Sequence, residues 1–240
     1  YKESFLMAWA SLIANKLRSL LTMLGIIIGV AAVIALVSIG NGVKQDIENS
    51  ISSLGSNLLV VLPGAPRTPG ARSSQGSMKS LKISDYEAIA KLEGVKAASP
   101  MTNGSYVVIY QNKNWTTSVA GVNSNFQDVN NWTMTSGRFF SDKNVQNRER
   151  VAVVGQTVVK NLFADEDPVG KEIRVKNIPF RVIGVLKSKG NGTMGNDQDD
   201  TVLIPYTTSM ERVEGIDYLR RVYVVAKDDG GIDRLQADIE

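Results

Sequence analysis

The residues best suited to chemistry lie together in one short segment, 190–200. Gly190, Gly192 and Gly195 have the spacing of a dinucleotide-binding loop and closely follow an apolar run that predicts a strand. That motif needs a helix after its last glycine, because the helix N-terminus binds the pyrophosphate, whereas here the polar run Asn196–Asp200 follows. The glycines therefore favour a hairpin loop, and we predict no nucleotide cofactor.

The same segment carries three carboxylates, those of Asp197, Asp199 and Asp200. Carboxylate oxygens are the ligands that Ca²⁺ prefers, but these residues lack the spacing of an EF-hand loop and its distal glutamate. Carboxylates of an ordinary loop are the favoured interpretation, with calcium binding as the alternative.

Most other chemistry is excluded by residue type. The chain has no cysteine and no histidine, which removes cysteine nucleophiles, disulfides, Cys/His zinc sites and the Ser–His–Asp triad. No G-x-x-x-x-G-K-[ST] segment occurs, so we expect no P-loop ATP hydrolysis by this chain, and no carboxylate pair stands out as catalytic. The 27 basic and 24 acidic residues give a net charge of only +3, so nucleic acid is not expected as a partner. The chain is predicted not to be an enzyme and to need no cofactor or metal.

A membrane-spanning helix is predicted over residues 19–42. No charged residue lies between Ser19 and Val43, and Leu20–Ile39 is almost wholly apolar. A bilayer core about 30 Å thick needs about 20 helical residues, and backbone N–H groups in lipid must be bonded within the helix. A cleaved secretory signal is the alternative, but its apolar region is shorter, about 7–15 residues, and ends in a small-x-small site. We therefore expect an anchor that stays in the protein and contacts the lipid membrane.

The charges that flank this helix predict its orientation. Residues 1–18 contain three basic residues and one acidic residue, whereas the remainder contains 24 basic and 23 acidic residues. Positive flanks stay in the cytoplasm, so residues 1–18 are expected inside and residues 43–240 outside. Apolar residues at helical spacing in 1–18, Trp9 among them, predict an amphipathic helix in the membrane interface, with a longer, tilted anchor helix as the alternative.

Two sets of residues are candidates for helix packing. Gly25 and Gly29 form a G-x-x-x-G pair, which lets two helix backbones approach closely in a membrane. Beyond the membrane, apolar residues recur at steps of three and four and predict a stalk helix over 43–54 that packs against a neighbouring helix or a second protomer: Val43, Ile47, Ile51 and Leu54.

The remainder of the sequence mixes short strands with short helices, which is typical of an α+β domain. Proline and glycine make up six of the 14 residues of 63–76, so this segment is predicted to be a loop without its own core. The predicted strands are 57–62, 106–110, 116–122, 151–154, 172–175, 180–186, 201–204 and 222–226, and the apolar run 57–62 is expected to be buried. Hairpin turns are predicted at Asn112–Asn114 and Asn177–Pro179, and helices at 84–92, after a Ser84–Glu87 capping box, at 156–163, after Thr207 or Ser209, and after Gly231.

Several of these stretches resemble the MacB-type permeases of ABC exporters, within the MacB/FtsX/LolC-like superfamily. The first membrane helix and stalk of that family are similar to Asn15–Gly42 and Ile51–Gly64. The family's periplasmic core domain is similar, in the same order, to Ser136–Asp142, Val151–Phe163, Asp167–Leu186 and Val202–Thr208.

The resemblance implies a two-lobed external domain. A porter-like βαβ lobe would comprise residues 55–122 and 218–240, interrupted by a smaller β-rich lobe over 123–217. This domain would lie between the first and second of four membrane helices in the bacterial inner membrane, so the chain would be a truncated form of a multi-pass permease.

The resemblance also implies a mechanism and partners. Such permeases work as dimers driven by ABC ATPase subunits or domains, which here would be fused upstream or separate. Their stalks carry the ATP-driven motion to the external domains, which expel substrates such as drugs or peptides into a membrane-fusion (adaptor) protein.

Two other functions are open at this stage. One is that of an FtsX- or LolC-like relative, in cell-wall hydrolase control or lipoprotein release. The other is a membrane-anchored binding or sensor module without transport. Neighbouring genes for an ATPase and a membrane-fusion protein would favour export.

Overall fold

The computed structural model divides the chain into two compact units, residues 1–49 and 50–240. The residues that the structure describes are 2, 16–54, 57–64, 79–164, 166–192, 195–227 and 232–239. The interfacial helix predicted over 1–18 lies outside the described residues except for Lys2 and residues 16–18, and so does most of the predicted loop 63–76.

Helices and strands alternate along the described chain as an α+β fold. The helices are α1 (Lys16–Leu54), α2 (Ile83–Ile89), α3 (Phe126–Val129), α4 (Asp142–Gln146), α5 (Gln156–Leu162), α6 (Tyr206–Thr208) and α7 (Ile232–Ile239), with a turn of π-helix at Ser209–Glu214. The strands are β1 (Leu58–Val61), β2 (Val95–Tyr110), β3 (Lys113–Val122), β4 (Met134–Gly137), β5 (Val151–Val154), β6 (Glu172–Val175), β7 (Ile178–Leu186), β8 (Thr201–Pro205) and β9 (Arg221–Ala226).

The second unit, residues 50–240, is called the domain below, and its first half in space is a three-stranded antiparallel sheet that includes elements from both ends of this unit. Strand β9 lies in the middle and pairs with β1 on one side and with Val95–Met101 of β2 on the other, so β1 and β2 are parallel and α2 connects them. This is a split βαβ unit. Its apolar core contains residues of α2, β2, β9, α7, the π-helical turn and the adjoining loops: Leu81, Ile89, Val95, Ala98, Met210, Leu219, Val222, Val224, Ala226 and Leu235.

Two details of this half differ from the sequence predictions. Helix α2 begins after Lys82 rather than after Ser84. The backbone N–H of Lys82 donates to Asp85 Oδ2 at 2.7 Å, and this bond caps the N-terminus of the helix. Strand β1 was predicted to be buried, but it is an edge strand, and Val60 is 45% exposed.

The second half is a closed six-stranded barrel. Its strands follow the order β2-β3-β8-β5-β7-β6, and β6 returns to β2 through the pairs Val108–Val175 and Ile109–Arg174. The core of the barrel also includes Val158 and Leu162 of α5. Closure pairs the strands that would otherwise be edges.

Two hairpin turns of the barrel begin one residue earlier than the sequence predicts. Val175 pairs with Ile178, so the second turn is Lys176–Asn177, and both residues have positive φ, 51° and 66°, as a two-residue type I′ turn requires. The sequence predicted this turn one residue later. Likewise Tyr110 pairs with Lys113, which puts the first turn at positions 111 and 112.

The predicted lobe limits, 55–122 with 218–240 and 123–217, differ from the packing of the two cores. Val108 and Val119 share the barrel core with Ala152 and Val182, although the prediction assigns the first two residues to the porter-like lobe. Strand β2 passes from the sheet to the barrel at about residue 101. The two-lobe division remains a prediction, and this packing would move the end of its first segment from residue 122 to about residue 101.

The barrel core predicts one stability effect. Phe180 is 0% exposed at the centre of this core, so Phe180→Ala should lower the free energy of unfolding by about 3–5 kcal/mol through lost burial and a residual cavity. Denaturant unfolding of the 240-residue chain in detergent measures this change. The control is Val60→Ala at the exposed edge, which should change it by less than about 1 kcal/mol, and an equal loss in both variants would contradict the core assignment.

Candidate functional site

The apolar part of α1 is the first candidate site. Residues Leu20–Gly40, 21 in number, are long and apolar enough to cross a membrane, about 30 Å at 1.5 Å per residue. Large apolar side chains cover this segment and are exposed, for example Leu36 and Ile39. Such a surface suits lipid and not water.

Gly25 and Gly29 lie on this exposed segment, one turn apart. A Cβ added at either glycine would meet no atom within 4 Å outside the local helix backbone. Each position thus has room for a second helix to approach the backbone closely. That a helix packs there remains a prediction.

The stalk candidates lie on the same helix. Helix α1 continues without a break from Lys16 to Leu54 and so includes Val43, Ile47, Ile51 and Leu54. The surroundings of these four side chains lie outside the described part of the chain. Their packing role stays a prediction.

The aspartates of segment 190–200 each have a structural partner. Asp199 is 5% exposed, and its carboxylate accepts hydrogen bonds from the Ser188 hydroxyl, from Lys189 N–H at 2.8 Å and from Gly190 N–H at 3.1 Å. Bonds from backbone N–H groups stabilise a buried carboxylate and fix the local chain path.

The other two carboxylates point to different elements. Asp200 Oδ1 accepts from the Trp115 indole N–H at 2.8 Å, and Asp197 Oδ2 accepts from the Thr157 hydroxyl at 2.6 Å. Within the described residues, no group of three histidines, cysteines, aspartates or glutamates could hold a metal ion. These carboxylates therefore connect the loop to β3 and α5.

The glycines of this segment form a hairpin loop, as predicted. Gly190 and Gly195 have positive φ values, 72° and 75°, and Asn191 pairs with Asp197 in an isolated antiparallel bridge. The dinucleotide-like spacing thus reflects turn geometry in the part of the loop that is described.

Lys189 fastens the start of the same loop to the region around α3. Its Nζ donates to the Asn130 carbonyl and lies 4.5 Å from the centre of the Trp132 ring, a cation–π contact. Burial lowers the pKa of Lys189, while the nearby Asp199 carboxylate acts in the opposite direction. Sequence reasoning missed Lys189, because its partners lie far away in the chain and no local pattern marks them.

Comparison with protein families and curated proteins covers nearly the whole chain. Residues 19–240 match the family model described as "MacB-like periplasmic core domain". The chain is 45% identical over 242 aligned positions to a macrolide export ATP-binding/permease protein MacB of Rhodospirillum rubrum, covering 100% of this chain and 37% of that protein. It is 40% identical to the protein of the same name from Chlorobium luteolum, covering 94% of this chain and 34% of the relative. The chain thus spans about a third of the length of these relatives.

Solved structures show the same fold. The periplasmic region of MacB from Actinobacillus actinomycetemcomitans matches with a TM-score of 0.67 and 26% identity, over 79% of this chain and 83% of that one. The extracellular domain of the noncanonic ABC-type transporter YknZ from Gram-positive bacteria matches with a TM-score of 0.62 at 20% identity, over 75% of this chain and 88% of that one. The second match bears on the fold alone.

The Asp199 contacts predict a structural role that can be separated from calcium binding. Asp199→Ala leaves two part-buried N–H donors without this partner, so the free energy of unfolding should fall by about 2 kcal/mol. Glu172→Ala, at an exposed carboxylate, is the matched control and should change it by less than about 0.5 kcal/mol. Thermal unfolding with and without CaCl₂ checks both points, and a calcium-dependent rise in Tm that is lost in Asp199→Ala would contradict the structural interpretation.

Proposed function

The chain belongs to the family of MacB-like periplasmic core domains, and we propose that it is the membrane-anchored periplasmic part of an ABC exporter permease. The observation that carries this proposal is the unbroken helix Lys16–Leu54, which contains the apolar segment and is followed in the chain, from Leu58 on, by β1 of the matched domain. A continuous helix is stiff, so a displacement at its membrane end can be transmitted along its length.

The proposed location follows from the family and the flanking charges. Residues 19–42 cross the bacterial inner membrane once, residues 1–18 lie in the cytoplasm, and residues 43–240 lie outside. In the full-length protein, further membrane helices follow this domain.

The proposed energy source is an ABC ATPase domain or subunit outside this chain. The relatives are named ATP-binding/permease proteins and are about three times longer, whereas this chain contains no P-loop sequence. Hydrolysis would therefore occur elsewhere, and this chain would act by changing conformation.

The proposed mechanism is mechanical export. ATP-driven closure of the ATPase pair moves the stalk helices of two permease protomers, and their external domains then expel the substrate into a membrane-fusion partner. The relatives are named for macrolide export, so a drug-like or peptide-like compound is the substrate class that we propose for this chain. Gly25 and Gly29 would lie at a contact between membrane helices, and the stalk residues would pack against a second helix.

Topology is the first test of this proposal. The chain has no cysteine, so Ser4→Cys and Lys160→Cys each introduce a single labelling site. In intact spheroplasts, a membrane-impermeant maleimide should label Lys160→Cys, which is exposed on α5, and should leave Ser4→Cys unlabelled. Lysed spheroplasts are the control in which both must react. Equal labelling of both variants in intact spheroplasts would overturn the orientation.

Stalk stiffness is the second test. Insertion of two glycines after Asn49 rotates the following residues by about 200° and weakens the helix by about 1 kcal/mol per glycine. In the complete transporter, export should collapse while ATP hydrolysis persists, because the external domain has its own cores.

A substitution supplies the matched control for the insertion. Replacement of Glu48 and Asn49 by alanine keeps the length and phase of the helix, so export should continue at the wild-type rate. Wild-type export by the insertion variant would show that α1 is only a tether.

A further inference from the structure

Strand β2 is shared by the two halves of the domain. Met101 pairs with Arg221 of the sheet, and the next residue, Thr102, pairs with Gly121 of the barrel. The cores of the two halves therefore meet where this strand changes partners, between residues 101 and 102. A third apolar cluster lies at the same junction, with Met101 and Tyr223 packed against a group that includes Ala120 and Val122.

The π-helical turn Ser209–Glu214 lies across the same junction. Its Met210 belongs to the core of the sheet half, and its Val213 belongs to the core of the barrel half. The turn ends at Gly215, whose φ of 67° is left-handed. Single turns of π-helix occur frequently at functional sites.

The contact between this turn and the barrel is polar at Ser209, in addition to the apolar contact of Val213. The hydroxyls of Thr102 and Ser209 are buried and lie 2.8 Å apart. A Cβ at Gly121 would lie 2.4 Å from Ser209 Cβ and 2.5 Å from Thr102 Oγ1, so only glycine allows this approach.

A buried carboxylate continues the polar contact toward the sheet. The side chain of Glu214 is only 2% exposed, and its Oε1 accepts from the Ser209 hydroxyl at 3.2 Å. Since that hydroxyl has one proton, Thr102 is the donor to Ser209. Glu214 Oε2 lies 3.6 Å from Nη2 of Arg220, whose backbone N–H donates to the Met101 carbonyl.

A second polar contact joins the halves on the α2 side. Asn123, at the end of β3, donates to the Tyr86 hydroxyl at 3.0 Å and to the Ala98 carbonyl at 2.9 Å. An aromatic contact between Phe126 and Tyr223 accompanies it, with ring centres 5.9 Å apart.

We propose that the polar seam formed by Thr102, Gly121, Ser209, Glu214 and Arg220 is a joint that fixes the angle between the sheet and the barrel. Apolar cores are close-packed and resist gradual deformation, so each half moves as a body. The hydroxyls of Thr102 and Ser209 and the carboxylate of Glu214 are buried, so breaking one of these hydrogen bonds leaves a polar group without a partner, and the bonded geometry favours one angle between the halves. This inference concerns the domain itself and goes beyond the proposed export function, since it does not depend on the substrate or on ATP.

The test measures the distance between the two halves directly. Ala88→Cys on α2 and Lys160→Cys on α5 are exposed label positions, one on each half, in a chain that has no other cysteine. Spin labels at both positions report a distance distribution by pulsed electron paramagnetic resonance. The full 240-residue chain is used in lipid nanodiscs, diluted with unlabelled chain so that only pairs within one molecule contribute.

The variants differ in one carboxylate of the same turn. Glu214→Ala removes the carboxylate of the seam and should roughly double the width of the distance distribution or add a second peak. Glu211→Ala is the control, because Glu211 forms a half-exposed ion pair with Arg148 at 3.0 Å and should keep the wild-type distribution. An unchanged distribution in Glu214→Ala, or equal broadening in Glu211→Ala, would overturn the proposal.

A milder variant keeps the test decisive if Glu214→Ala does not fold. Thr102→Val has nearly the same shape and removes only the hydroxyl, and circular dichroism reports whether the domain remains folded. The folded variant should also give a broadened distribution, and the wild-type distribution would then overturn the joint.

Discussion

The pairing of β2 with two sheets in succession is the constraint on which the domain depends. Every buried N–H and C=O of a strand must find a partner, and β2 satisfies them first against β9 and then against β3. Because a strand rises by about 3.3 Å per residue in a nearly fixed direction, β2 sets the position of β9 relative to β3. The split βαβ unit and the closed barrel are therefore not independent modules joined by a linker.

The sequence allowed good prediction where local pattern and packing agree. Strand β5 and helix α5 were predicted almost to the residue, since an apolar run followed by helical spacing is a strong local signal. The first part of β2 was missed because Pro100, Asn103 and Gly104 disfavour strand locally, and pairing with β9 and β3 overrides them. The turn at Lys176–Asn177 was displaced because left-handed backbone at a lysine has no sequence signal.

The candidate functional residues divide along the same line. The uncharged run Leu20–Gly40 indicates a candidate membrane helix by composition alone, and the four candidate stalk residues were identified from their helical spacing. The seam could not be predicted, because Ser209–Glu214 contains three charged residues and reads as a solvated surface turn. Only the fold shows that the side chain of Glu214 is buried, at 2% exposed, while that of Glu211 in the same turn remains half exposed.

Closure of the barrel has a consequence for how the protein acquires its structure. Val108 pairs with Val175, and Ser118 pairs with Thr201, so the ring joins segments that are far apart in the chain. Long-range pairing must overcome loop-closure entropy before it gains stability, which makes such topologies slow to fold. During synthesis the ring cannot close until β8 has emerged, and the hairpin of β2 and β3 has unpaired edges until then. Chaperones that protect the chain at this stage would therefore raise the yield of folded protein more than tighter core packing would.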